Sequence, residues 1–260
     1  MSLSSQDLDD LLYAKSLLEN PSLAARLANA LGKPIELGLS ALPTGAGEAI
    51  AVATRKSLDA ALTFALASMD ERRRASADWP HKVAVAMTGA AGGMFGLPAL
   101  ALELPLSTTI MLRSIADIAR SEGERIRTPE AKLACIEVFA LGGYLPDDDA
   151  TESAYFAVRL ALAKALSEAA EHLAGRGITG HGVPVMVRFV SQVATRFGVP
   201  VSEKLVAQSL PVVGAAGGVI INTLFIDHFQ DMARGHFVVR RLERQHGREA
   251  VRRAYLRSVL

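Results

Sequence analysis

Apolar residues recur at helical spacing along the whole chain, and no stretch shows the sustained alternation that is typical of a β-hairpin. The first helix is predicted over residues 5–18, where Leu8, Leu11 and Leu17 are spaced at helical intervals and Pro21 follows as a stop signal. The pattern predicts an all-α fold, a compact bundle of many helices. The same signals predict further helices over residues 22–31, 45–74, 103–122, 128–143, 151–173, 184–197 and 202–209, with a break at 198–200.

Two long segments, 83–102 and 205–226, contain no charged residue. Each is long enough to cross the hydrocarbon core of a bilayer. Both are rich in Ala and Gly rather than Leu and are interrupted by Pro, which favours buried helices at the centre of the bundle over helices that span a membrane. Membrane spanning stays open as the alternative.

These two segments share a repeated sequence. The pentapeptide GAAGG occurs at 89–93 and again at 214–218, and a helix with the pattern Asp-x-Ala-Arg follows each copy. Glycines four residues apart allow two helix backbones to approach closely, so the pentapeptides are expected to be packing sites. The repeat indicates either an old duplication or a coincidence in a chain rich in Ala and Gly, and Pro98 and Pro105 argue against one continuous helix after the first copy.

Composition excludes several classes of protein. The chain has 260 residues, of which 50% are hydrophobic, a mean hydropathy of +0.24 and a net charge of +1, so it is not an intrinsically disordered protein. The single cysteine, Cys135, excludes an intrachain disulfide framework and indicates a reducing compartment. Cys135 is expected to be an inert buried thiol. The first ten residues carry three Asp and no secretory pattern, which predicts a cytoplasmic protein.

A first set of candidate polar residues lies on the predicted helix 103–122. Glu103, Arg113, Asp117 and Arg120 fall within one 100° sector of this helix. Asp117 can reach both arginines, so the set is either a solvated ion-pair face or a buried polar seam. The second reading is motivated by Glu103, which is the only charge between Lys82 and Arg113.

A second polar helix is predicted from Asn222 onward, and it carries Asp227, His228, Asp231, Arg234 and His236. His228 and Asp231 could bind a divalent ion or form an acid/base pair, with Glu103 from another helix as a further ligand. His236 lies on the apolar face, where a hydrogen-bonded core histidine is the commoner finding.

No recognisable catalytic motif accompanies these residues. The G-x-G-x-x-G pattern at 175–180 follows a helix rather than a strand and is predicted to be a loop, and no metal site or cofactor is assigned.

The C-terminus is strongly basic, with eight Arg and two Glu from residue 234 to residue 260. A basic helix of this kind is typical of contact with anionic lipid head groups or an acidic partner, and a solvated face without a partner is the alternative. Nucleic acid is not expected, because no nucleic-acid-binding signature accompanies the charge. The candidate anion-binding residues are Arg240, Arg241, Arg244, Arg248, Arg252 and Arg253.

Several motifs follow from residue 96 onward. They read GLP and ELPLSTT at 96–98 and 103–109, MLRSIADIA at 111–119, CIEVFALGG at 135–143, PVVGAAGG at 211–218 and DHFQDMARGHF at 227–237. Together these motifs resemble the bacterial EcsC protein family. The resemblance covers about residues 45–250, which divides the chain into an N-terminal helical extension, 1–44, and an EcsC-like domain, 45–260.

The resemblance implies a cytoplasmic accessory protein that associates peripherally with the inner membrane or with an ABC-type transporter, and it transfers no catalytic residue. Two alternatives remain open. One is a metal-dependent helical hydrolase that uses Glu103, Asp227, His228 and Asp231. The other is a carrier in which the two apolar segments bind a lipid.

Overall fold

The computed structural model describes residues 3–19, 22–40, 42–68, 97–143, 153–176, 184–210 and 214–258. These residues form ten α-helices and no strand, which confirms the predicted all-α bundle. The helices are α1 (Ser5–Leu18), α2 (Leu23–Leu31), α3 (Glu36–Ser40), α4 (Ala46–Ser68), α5 (Leu97–Ser121), α6 (Pro129–Leu141), α7 (Ala154–Arg176), α8 (Pro184–Ser209), α9 (Gly214–His246) and α10 (Arg248–Arg257).

Local signals in the sequence account for the starts of α1 and α6. The Ser4 side chain accepts a hydrogen bond from the Asp7 N–H, and the Asp7 carboxylate accepts one from the Ser4 N–H, so the two form a capping box. The Thr128 hydroxyl oxygen accepts a hydrogen bond from the Ala131 N–H at the start of α6, and Pro129 occupies the first turn, where its missing N–H costs nothing. Both starts agree with the prediction.

Helix α6 is the centre of the bundle. Every residue from 131 to 141 is buried, so this helix has no solvent face. It packs against α4, α5, α7, α8 and α9. Cys135 is fully buried within it, and burial raises the pKa of the thiol to about 12, as expected of an inert cysteine.

Two prolines that were predicted to interrupt helical structure, Pro105 after the first pentapeptide and Pro200 between two helices, both lie inside helices. Helix α5 runs through Pro105, and α8 runs through Pro200, so the predicted break at 198–200 is wrong. Pro200 has no N–H that could donate to the carbonyl of Arg196, four residues earlier. Gly143 lies against this carbonyl so closely that a Cβ there would be 2.0 Å from the oxygen. Tertiary packing therefore keeps the helix continuous across a residue that local signals alone would treat as a stop.

The apolar segments fall at helix ends. The second segment is divided between the end of α8 and the start of α9, which begins at Gly214 rather than at Asn222. Residues 97–102 open α5. The rest of the first segment, its pentapeptide and the end of the helix predicted over 45–74 lie outside the described residues. The loop predicted at 175–180 also lies largely outside them, although its first two positions, Gly175 and Arg176, are the last two residues of α7. Among the helices described, none is long and apolar enough to cross a membrane.

Helix α1 lies along α9 and is held there by packing and charge. At the crossing, a Cβ on Gly235 would be 2.6 Å from Leu18 Cγ and 2.9 Å from the Ala14 carbonyl oxygen. Lys15 Nζ donates to the carbonyls of Tyr255 and Ser258 at the end of α10, at 3.0 and 2.7 Å. The division into an extension, 1–44, and a domain, 45–260, stays a prediction.

We expect Gly235→Ala to lower the free energy of unfolding by about 1–3 kcal/mol, because the new methyl group has no room at the crossing of α1 and α9. Urea unfolding measures the change. Gly198→Ala is the matched control, since Gly198 is also inside a helix but has no atom within 4 Å of an added Cβ. The control should be neutral or should stabilise by up to about 1 kcal/mol. Equal effects of the two variants would contradict the close approach.

A pH-dependent contact joins α8 to the start of α2. The Glu203 side chain is 8% exposed and accepts a hydrogen bond from the Ala24 N–H, with Glu36 as a second nearby carboxylate. Burial raises the pKa of Glu203 to about 7. The Glu203 carboxyl therefore ionises at a higher pH in the folded protein than in the unfolded chain. For this reason its contribution to the free energy of unfolding falls as the pH rises from the ordinary pKa of a glutamate towards 7.

We therefore expect the free energy of unfolding of Glu203→Gln, relative to that of the unmodified protein, to increase by at most about 3 kcal/mol as the pH rises from 5 to 8. Unfolding free energies at both pH values measure the gain. Glu48→Gln at an exposed position should show no such trend. If the unfolding free energies of Glu203→Gln and the unmodified protein differ by the same amount at pH 5 and at pH 8, the pKa of Glu203 is not raised.

Candidate functional site

A cavity of about 550 Å³ lies between the start of α7, the end of α9 and α10, and we call it the C-terminal cavity. Its volume is within the range of roughly 300–1,000 Å³ that is typical of ligand sites. Its walls combine apolar and charged side chains, which include Phe156, Arg159, Leu160, Glu243, Arg248, Glu249, Arg252 and Leu256.

Helix geometry brings these side chains to one place. One face of α7 carries Phe156 together with Arg159 and Leu160, which lie three and four residues after it. Gly247 separates α9 from α10 with a φ of +86°, a conformation that residues with a Cβ rarely adopt. The basic C-terminal segment is therefore two helices rather than one. The turn leaves Glu243 and Arg248 on two walls of the same cavity.

One wall is an ion pair between Arg159 and Glu243. The two Arg159 Nη atoms donate to the two Glu243 carboxylate oxygens at 2.8 and 2.9 Å, in the bidentate arrangement that makes such pairs strong. The side chains are 15% and 8% exposed. The Arg159 guanidinium also lies 5.7 Å from the centre of the Phe156 ring. The charge of Arg159 is therefore neutralised within the protein.

A chain of polar groups continues from this wall into the core. Arg159 Nη1 donates to Tyr155 Oη at 3.2 Å, and Tyr155 Oη lies 3.1 Å from His236 Nδ1. Because Arg159 can only donate, the Tyr155 hydroxyl proton is directed to Nδ1, and the His236 proton is then on Nε2. That nitrogen lies 3.7 Å from Glu137 Oε2. We call Glu137, His236, Tyr155, Arg159 and Glu243 the buried polar chain.

Burial controls the protonation of this chain. Burial raises the pKa of the Glu137 carboxyl and lowers the pKa of His236 well below its ordinary value, so His236 is neutral at neutral pH. Burial also raises the pKa of Tyr155. His236 thus acts as an uncharged hydrogen-bond partner of Tyr155.

The structure divides the six predicted anion-binding arginines into two sets. Arg240 binds Glu124 at 2.7 Å, Arg241 binds Asp10 at 2.6 Å, and Arg244 also pairs with Glu124. These three side chains connect α9 to α1 and to the loop after α5.

Arg248, Arg252 and Arg253 form the second set, on α10. Arg248 and Arg252 line the C-terminal cavity, and the described residues supply neither of them with an ion-pair partner. Arg253 donates to the Glu249 carbonyl, at 3.2 Å. The predicted basic face is thus reduced to α10.

Glu103 forms a buried ion pair that the sequence did not predict. Lys204 Nζ lies 2.6 Å from Glu103 Oε1, and the two side chains are 0% and 6% exposed. Burial lowers the pKa of Lys204, and the Lys204 ammonium lies 4.8 Å from the centre of the Phe225 ring. The lone carboxylate among apolar residues is therefore paired, as its burial requires.

The residues that the sequence proposed as partners of Glu103 make other contacts. His228 Nε2 lies 3.0 Å from the Gly142 carbonyl oxygen, and burial lowers the pKa of His228 to about 4. Asp231 binds Arg26 at 2.8 Å and Arg234 at 3.3 Å, and Asp227 is half-buried on the same helix. Over the described ranges, no group of three or more His, Cys, Asp and Glu side chains is placed to hold a metal ion. The metal-dependent hydrolase stays a prediction.

The remaining predicted polar residues lie on the outer side of α5. Asp117 and Arg120 form an ion pair at 2.6 Å, with both side chains about one-fifth exposed. Arg113 is exposed and lies 5.7 Å from the centre of the Phe64 ring. These residues do not share the buried environment of Glu103, although all four fall in one sector of the helix.

Sequence reasoning missed the α7 side of the C-terminal cavity. Arg159 is the only charged residue between 154 and 163, which is a weaker form of the signal that singled out Glu103. Tyr155, Phe156 and Glu137 gave no such signal, because a helical pattern does not show which apolar face meets which other helix.

The comparison with known proteins identifies one family. The sequence profile of the EcsC protein family matches residues 20–242, which is most of the chain and includes part of the predicted N-terminal extension. Neither a curated protein nor a solved structure shows a significant match. Because the match extends over far more than half of its length, the chain belongs to the EcsC protein family.

Proposed function

We propose that the protein is a peripheral membrane protein that binds an anionic lipid surface through the C-terminal cavity and the outward face of α10. The observation that carries the proposal is the pair Arg248 and Arg252. Both line the cavity, and neither has an ion-pair partner among the described residues. Cationic side chains left without a counter-charge beside apolar side chains are typical of sites for anionic amphiphiles.

Charge on α10 supports this proposal. The helix contains four arginines and one glutamate, and only Val251 and Tyr255 of it are buried. Basic residues close to an anionic membrane contribute about 1 kcal/mol each to binding. The arginines of α9 add little to this attraction, because Arg240, Arg241 and Arg244 are already paired with carboxylates of the protein.

Apolar side chains around the cavity complete the surface. Leu160 is 78% exposed on α7, and Phe156 and Leu256 are half-buried next to it. An exposed leucine beside basic side chains suits the boundary between head groups and acyl chains. The anionic surface that we propose is the cytoplasmic face of the inner membrane, and an ABC-type transporter stays a predicted partner.

Reversal of the two cavity charges tests the proposal. We expect the double variant Arg248→Glu and Arg252→Glu to lose at least about 30-fold in affinity for vesicles that contain phosphatidylglycerol, since two contributions of about 1 kcal/mol are removed and then reversed. Co-sedimentation with vesicles measures the affinity. Binding of the unmodified protein should weaken as salt rises and should be absent on pure phosphatidylcholine.

A matched control is the double variant Arg55→Glu and Lys56→Glu, which makes the same charge change at two exposed positions of α4. It should retain most of the affinity. Glu249→Gln should bind anionic vesicles more tightly, because it removes the one cavity carboxylate that no arginine neutralises. Equal losses in both double variants would show a non-specific charge effect and would reject α10 as the binding face.

A further inference from the structure

Two guanidinium groups of the C-terminal cavity, those of Arg248 and Arg252, make no ion pair with the carboxylates that line it. Glu243 is occupied by Arg159, in two hydrogen bonds of 2.8 and 2.9 Å. Arg248 and Arg252 are separated by one helical turn on α10 and line the same wall. Two forked donors side by side are suited to an anion with several oxygen atoms, and phosphate is the group that arginine pairs recognise best.

The Phe156 ring orients one of these donors. The Arg252 guanidinium lies 6.0 Å from the centre of the ring, and the Arg159 guanidinium lies 5.7 Å from it. Contact with a ring face leaves the N–H groups at the edge of a guanidinium free to donate. Arg252 is therefore held at the cavity wall with its donors available.

The start of α10 adds to the preference for an anion. Gly247 precedes the helix without a side-chain hydrogen bond to its first turn, and Arg248 and Glu249 of that turn line the cavity. Partial positive charge at a helix start favours a nearby anion. This effect accompanies the two guanidinium groups and would not make a site alone.

The number of free oxygens distinguishes two kinds of phosphate. A phosphomonoester presents three terminal oxygens, whereas a phosphodiester presents two. Two forked guanidinium groups offer four N–H donors, which a monoester can accept more completely, and the monoester also carries the larger charge at neutral pH. Phe156, Leu160 and Leu256 at the same cavity provide apolar contact for hydrocarbon attached to the phosphate.

We propose that the C-terminal cavity is a specific site for a phosphomonoester lipid head group, with the phosphate on Arg248 and Arg252 and the attached hydrocarbon against Phe156, Leu160 and Leu256. This inference rests on the proposed membrane binding and goes beyond it, because a charged surface alone attracts every anionic lipid. Such specificity requires that the paired N–H donors of each guanidinium group contribute to binding in addition to its positive charge.

The test compares phosphatidic acid with phosphatidylglycerol in vesicles whose surface charge is matched by composition. The full chain should bind the phosphatidic acid vesicles at least about tenfold more tightly. The double variant Arg248→Lys and Arg252→Lys keeps both charges but loses the forks, so it should bind the two kinds of vesicle equally. Thermal unfolding of each variant confirms that it is folded, and both positions are exposed.

The outcomes separate the inference from the proposed function. Equal binding of the unmodified protein to both vesicles, with loss of both in the charge-reversal variant, would overturn the phosphomonoester site and leave membrane binding intact. No binding to either would overturn both. In a third arm, soluble glycerol phosphate should compete with phosphatidic acid vesicles only weakly. If glycerol phosphate binds the protein and the vesicles do not, the source is a soluble phosphate and the lipid site is rejected.

Discussion

The complete burial of α6 is the constraint on which the rest of the structure depends. This helix carries Lys132 and Glu137, which are 6% and 4% exposed, and charges in such a place need partners within the protein. Lys132 Nζ donates to the Leu66 carbonyl of α4 at 3.3 Å. Glu137 faces His236 of α9, and burial raises the pKa of its carboxyl. The central helix thereby determines which faces α4 and α9 turn inward.

The same constraint explains how the core is connected to the C-terminal cavity. His236 is neutral because it is buried, and its hydrogen bond to Tyr155 places the Tyr155 hydroxyl beside Arg159. Arg159 in turn requires a carboxylate, which Glu243 of α9 supplies. The buried polar chain therefore begins at the Glu137 carboxyl in the core and ends at a cavity wall. The adjoining arginines of α10 that line the cavity lie outside this chain, and the described residues supply them with no carboxylate partner.

Much of the fold could be predicted from local signals, and the failures have one physical cause. Ser4 and Thr128 mark helix starts because their hydroxyl oxygens accept hydrogen bonds from N–H groups of the first turn, whatever the rest of the chain does. Pro105 and Pro200 remove one helical hydrogen bond each, and that loss is smaller than the packing energy of the long helices around them. A rule based on neighbouring residues cannot include that packing energy.

The candidate site was predictable only in part. The sequence by itself determined the helical class, the family and the excess of arginine at the C-terminus, because periodicity, motifs and charge are properties of the chain. Only the tertiary structure decided which arginines pair with carboxylates, since Glu124 and Asp10 are far from Arg240 and Arg241 in the chain and reach them through folding. The pairing of Glu103 with Lys204 and the cavity beside Arg159 were decided in the same way. The sequence shows which side chains are charged. Whether an opposite charge neutralises them depends on the distances between side chains, and only the packing of the helices determines these distances.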